Sequence, residues 1–244
     1  MKSLIILLVS ILTITIALEA QLFETLKREA VKQALDVEST SINFTQDEAA
    51  GAIKEALTKG ISKGAEQVSK ADGFLKNPEI KIPFPEDAKK VETTLRKAGM
   101  GKQVDQAVVS INRAAEMASK EAKEVFIQSI KDMSVKDAVK IIKGEDDAAT
   151  SYLQENTSEE LASRFKPIIK TSLEKTDATK NWNTVMKSYN KIPFVKKVNP
   201  DLTDYVTQKA LDGLFIMIAK EELEIRKDPI ARTTDLLKKV FGAK

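Results

Sequence analysis

The sequence predicts an all-α protein, a compact multi-helix domain. Three observations predict it. Apolar residues recur at helical spacing along almost the whole chain. Capping and stop signals bracket those runs. Alternating apolar–polar stretches long enough to make strands are absent. The chain has 244 residues, 42% of them hydrophobic, so one core can bury most of the apolar surface without a disulfide or metal staple.

Residues 1–20, MKSLIILLVSILTITIALEA, carry one early lysine, an uncharged apolar run and small residues at Ala17 and Ala20. This is the pattern of a secretory signal peptide. The competing reading is a retained anchor. As a helix the run over residues 3–18 spans about 24 Å, short of the roughly 30 Å hydrocarbon core. No Cys follows it, which excludes a bacterial lipoprotein. Residues 21–44 read as an N-terminal helix and polar linker, and residues 45–244 as the all-α domain.

Thr45 and Glu48 form a capping box ahead of an apolar face made of Ala49, Ile53, Ala56, Leu57, Ile61, Ala65 and Val68. Gly60 and Gly64, one turn apart on that helix, allow another helix to approach closely. Residues 77–85, NPEIKIPFP, must be extended, because proline fixes its own backbone angle and pushes its predecessor out of the helical region. A long helical face follows from Val104 to Ile130. Thr157 and Glu160 predict a second capping box, and Pro167 predicts a kink or break soon after. A second KIPF, residues 191–194, predicts a second extended connector, with Ile82, Phe84, Ile192 and Phe194 packing as plugs. The run over residues 210–219, ALDGLFIMIA, is apolar nearly all round, so it should be central and covered on several sides. Asp212 within it reads as solvent-facing or helix-paired. Gly99, Gly144 and Gly242 stand where left-handed residues close helices.

Placing Thr45 over Thr157 puts Glu48 on Glu160, Ile53 on Phe165, Leu57 on Ile169 and Ile61 on Leu173. The KIPF copies fall at similar distances, and both stretches end in an Asp-to-Gly run. The expectation is a pseudo-repeat, residues 45–144 and 157–242, with a cleft between the halves.

The chemistry open to this chain is narrow. There is no Cys and no His, which excludes thiolate nucleophiles, Ser-His-Asp catalysis, imidazole-ligated zinc and a histidine switch. Charged residues make up 31% of the chain but the net charge is only +3, with Lys interleaved among Asp and Glu. Nucleic acid is therefore not an expected partner. No cofactor is expected. Asn112, Arg113 and Glu116 on the long helix, with Arg226 and Arg232 near the end, are the candidate ligand-binding residues, because arginine clamps carboxylates and phosphates in a fork. Asp146 and Asp147, in the stretch GEDDAAT, are weak candidates for a hard cation. The simpler reading is acidic residues at a helix start. Glycosidase-like carboxylate pairs need no histidine, but the sequence singles none out, and aromatic residues are only 5%.

The segments ADGFLKNPEIKIPFPE, INRAAE, GEDDAAT, PFVKKV, DYVTQKALDGLF and ARTTDLLKKVFG, in this order, resemble the exported bacterial family catalogued as domain of unknown function 4197. The resemblance covers nearly all of the chain after the linker. It implies a signal-bearing envelope protein and no known activity. The combined expectation is an exported, non-catalytic helical protein of the bacterial periplasm or outer envelope, with no membrane span after signal cleavage, that binds a ligand or an envelope protein. The alternatives are a structural or homo-oligomerising envelope protein and a His-free carboxylate hydrolase.

Overall fold

The computed structural model describes residues 45–191, 194, 197–199 and 201–227. All belong to one unit of the chain, Phe44–Lys244, and every regular element among them is helical.

Helix α1 (Gln46–Ser69) starts at the predicted capping box. Thr45 Oγ1 accepts from the Glu48 amide at 3.2 Å, and Glu48 Oε2 accepts from the Thr45 amide at 2.8 Å. Its predicted apolar face is buried throughout. The chain then reverses over the helix end. A Cβ on Gly73 would stand 2.4 Å from the Gln67 carbonyl oxygen, so only glycine fits.

The predicted extended stretch starts late: residues 78–80 form a turn, the Ile80 and Lys81 amides donating to the Asn77 carbonyl. The extended ribbon runs over residues 81–85, with Ile80, Ile82 and Phe84 buried and Lys81 and Pro83 exposed. This is the period-two alternation of an extended chain lying on a core. Ile82 and Phe84 are the predicted plugs, and Phe84 stacks on Trp182 with ring centroids 4.0 Å apart. A 3₁₀ turn (Glu86–Ala88) leads into α2 (Lys89–Lys97). Gly99, at φ +81°, closes α2 with Gly99 N–H donating to Arg96 and Met100 N–H to Leu95, both carbonyls in the last turn.

The long apolar run forms two helices, α3 (Gly101–Ala118) and α4 (Ala122–Asp132), separated by a 3₁₀ turn (Ser119–Glu121). Helix α5 (Val135–Lys143) is capped by Ser134. Gly144 is extended, at φ −79° and ψ −175°, not left-handed. Glycine is needed there for space, since a Cβ would meet the Ala148 Cβ at 2.7 Å.

Helix α6 (Ala148–Glu174) departs from the sequence reading twice. It begins well before Thr157, which is buried mid-helix and donates to the Leu153 carbonyl at 2.6 Å, so it is no N-cap. The helix also runs through Pro167 without a break. The carbonyl that Pro167 leaves without a helical donor, that of Ser163, belongs to an exposed residue, while Phe165, Ile169 and Leu173 hold the inner face.

Helix α7 (Asp177–Tyr189) leads to the second KIPF. There Asn190 joins the two ends of the loop, accepting from the Val198 amide at 2.8 Å and donating to the Val198 carbonyl at 2.6 Å. Phe194 is 108% exposed, so it does not plug the core as expected, and Ile192 lies outside the described residues. Phe84 and Phe194, the matching residues of the two tetrapeptides, thus occupy different environments. With Thr45 a cap and Thr157 a helix-interior residue, the pseudo-repeat finds no support in the fold, and its proposed C-terminal match lies outside the described residues. The apolar periodicity that suggested it is common to any buried helix.

Helix α8 (Thr203–Lys227) is central, packing against α1, α3 and α6. Gly60 and Gly64 serve the predicted close approach, since a Cβ at either would lie 3.1 and 3.0 Å from Ile225 and Ile218 of α8. Phe215 meets Phe126 edge-on at 5.8 Å. Asp212 pairs with Gln208 and Lys209 on the outer face, as a helix-paired carboxylate. Among the described residues no helix is long and apolar enough to cross a membrane.

Candidate functional site

The predicted ligand-binding residues are brought to two places, and both are spent on the protein's own backbone. In the first, Asn112 is fully buried and clamps the ribbon. Its Oδ1 accepts from the Ile82 amide at 2.9 Å, and its Nδ2 donates to the Ile82 and Val108 carbonyls at 2.8 Å. One turn on, buried Glu116 accepts from the Phe74 and Leu75 amides at 3.1 and 3.2 Å. Arg113 bridges Glu116 at 2.6 Å and Asp72 at 2.5 Å. These carboxylates, Glu116 first, raise the Arg113 guanidinium pKa, while Lys76 and then Arg113 hold Asp72 below the usual carboxylate range. Asp72 has φ +69°, a backbone strain these partners offset.

In the second place, Glu222 reaches from α8 to the start of α6. It accepts from the Ala149 amide at 2.9 Å, and from the Thr150 amide and hydroxyl at 2.8 Å each. It is thus the cap of α6, supplied from a remote part of the chain. Arg226 pairs with Glu222 at 2.7 Å and donates to the Ile141 carbonyl at the end of α5, with side chains 7% and 5% exposed. Glu221, also buried, pairs with Lys63 and Gln67 of α1. Arg232 lies outside the described residues. Asp147 stands at the N-cap position of α6 and Asp146 pairs with Lys227 at 3.5 Å. Among the described residues no group of acidic side chains is arranged to hold a metal ion.

Two concavities among the described residues lie near these elements. A groove of about 450 Å³ runs beside the ribbon, with Pro83, Phe84, Val108 and Val109 in it and Arg96 bound to Glu92 and Asp105 at its edge. A cavity of about 310 Å³ lies where the end of α6, one face of α7 and the start of α8 meet. Leu173 and Leu202 give it an apolar floor, and Lys170, Lys180 and Lys187 stand at its rim. Asp201 lines it too, but accepts from the Thr203 amide at 2.8 Å. Hydrogen bonds from Thr203 keep the Asp201 carboxyl below its ordinary pKa, so it stays ionised.

Asn183 completes the lining. Its Oδ1 is buried with no hydrogen-bond partner. The neighbouring Trp182, 3% exposed, has an indole N–H without an acceptor. A buried polar atom without a partner costs about 1–3 kcal/mol. Among the described residues these are the two buried side-chain polar atoms without a partner, and of the two residues only Asn183 lines the cavity.

A family model described as protein of unknown function (DUF4197) matches residues 43–242. The chain belongs to this family. The match starts at the edge of the helical unit, just ahead of the α1 cap, so the DUF4197 domain and the folded unit have the same N-terminal boundary. No curated protein and no solved structure matches the chain. In this DUF4197 chain, sequence reasoning missed the cavity residues. One signal was available: Lys180, Asn183 and Lys187 are spaced to share one polar face of α7.

Proposed function

We propose that this DUF4197 chain is a non-catalytic binding protein of the bacterial envelope, carried there by its N-terminal apolar segment, and that it holds a small ligand in the cavity between α6, α7 and α8. One observation carries the reading. Asn183, whose Oδ1 is buried without a hydrogen-bond partner, lines the cavity, with Lys170 and Lys187 at its rim. Small-molecule sites pair an apolar lining with a few convergent polar groups. The buried carboxylates elsewhere, Glu116, Glu221 and Glu222, serve backbone amides and basic side chains, which is structural work.

Native mass spectrometry of the chain purified from its own envelope fraction tests this. The expected spectrum carries a reproducible extra mass that is lost on denaturation. A bare chain, or a bare fixed multiple of it, refutes ligand binding. The multiple would favour the second reading, a protein that docks on copies or partners.

A further inference from the structure

We infer that the cavity takes a small carboxylate with a short apolar body and a hydroxyl of its own. The inference rests on the binding reading above and adds the ligand's chemistry.

Charge sets the first constraint. Among the described lining residues, Lys170, Lys180 and Lys187 outnumber the carboxylates, Glu174 and Asp201, by one. Asp201 is already engaged by Thr203. Among the described residues, Lys170 and Lys187 have no carboxylate within ion-pair distance, and Lys170 acts on Asp201 only from further off, helping to keep it ionised. A monoanion matches that surplus. A dianion such as phosphate overshoots it with two carboxylates alongside, and a cation meets repulsion.

Size and polarity set the rest. At about 310 Å³ the cavity is at the small end of ligand sites, and Leu173 and Leu202 offer the ligand's body an apolar floor. The Thr179 hydroxyl is engaged with Thr176 at 2.7 Å. Asn183 is not held by any hydrogen bond among the described residues, so its side chain can turn toward the cavity and meet a ligand O–H. The uncommitted groups are thus two ammonium donors for a carboxylate and one amide for a hydroxyl.

Trp182 stacks on Phe84 and does not line the cavity, so binding is read by isothermal titration calorimetry. We would titrate the full chain with 3-hydroxybutyrate, butyrate, 1-butanol and butylamine. Saturable responses are expected for the two acids, tighter for the hydroxy acid, and not for the alcohol or amine. Lys170→Gln and Lys187→Gln should each weaken binding roughly tenfold, the scale of a lost hydrogen bond to a charged group. Asn183→Leu should abolish the preference for the hydroxy acid. Circular dichroism should show all three variants folded. Binding unchanged in both lysine variants overturns the assignment, as does preference for butylamine. No response to any compound, while the native spectrum still carries its adduct, overturns the carboxylate class and leaves the binding reading standing. A bare chain overturns both.

Discussion

Glu222→Ala separates a structural carboxylate from a functional one. The substitution leaves the Ala149 and Thr150 amides and the Thr150 hydroxyl without their Glu222 acceptor, and removes the Glu222 charge from beside the nearly buried Arg226. Removing one partner of a buried ion pair costs about 3–5 kcal/mol. A lost helix cap alone costs about 1 kcal/mol. The two overlap at one carboxylate and do not add, so the expected loss is about 3–5 kcal/mol. At this chain length each kcal/mol moves Tm by about 2–4 °C, giving a fall of roughly 10 °C. Urea unfolding followed by circular dichroism reads it as a lower midpoint at unchanged slope. Glu222→Gln keeps the shape and an acceptor oxygen and should lose less, and a double-mutant cycle with Arg226→Met should show strong coupling. A loss under about 1 kcal/mol in the alanine variant refutes the reasoning. A gain in stability would refute it further, since ligand-binding groups are often held at a stability cost.

Three further outcomes are expected. Asn112→Ala strands the Ile82 amide and carbonyl in the core and should cost about 3 kcal/mol, with hydrogen exchange at the Ile82 amide accelerated beyond the global effect. Gly73→Ala forces a methyl against the Gln67 carbonyl and should destabilise by at least about 1–3 kcal/mol, read by thermal unfolding. Asp72, Asp137 and Asp201 have folded pKa values below the ordinary range, so the stability they contribute is complete above about pH 4 and is lost as pH falls through those lower values. Urea midpoints should therefore hold from pH 7 to about pH 4 and drop below it, and Asp72→Asn should flatten part of the drop.

The helices were legible in the sequence because their apolar faces and caps are local. Thr45, Gly99, Gly60 and Gly64 did what their positions implied, and the ribbon was extended around Pro83 and Pro85 but formed a turn at Pro78. The misreadings share one cause, which is that a remote partner decided the outcome. Thr157 carries a capping-box pattern, but the cap of α6 comes from Glu222, far along the chain. The two KIPF segments are identical locally. Asn112 and Trp182 draw Phe84 inward, while the Asn190–Val198 pairing closes the loop that leaves Phe194 outside. The candidate site failed for the same reason. Arg113, Glu116 and Arg226 have the chemistry of a ligand clamp, and only the tertiary fold shows backbone amides and carboxylates already filling it. The cavity was hidden because its lining comes from three helices whose meeting no spacing rule encodes.

The most direct test of the account is to locate a bound acid. Amide chemical shifts of the full chain, recorded by NMR during a titration with 3-hydroxybutyrate, would do so residue by residue. The account predicts changes that saturate together and centre on Leu173, Thr179, Asn183, Lys187 and Thr203, with Asn112, Glu116 and Glu222 unmoved. Saturating shifts centred on Glu116 or Glu222 instead would contradict it, as would a titration that leaves the cavity residues in place.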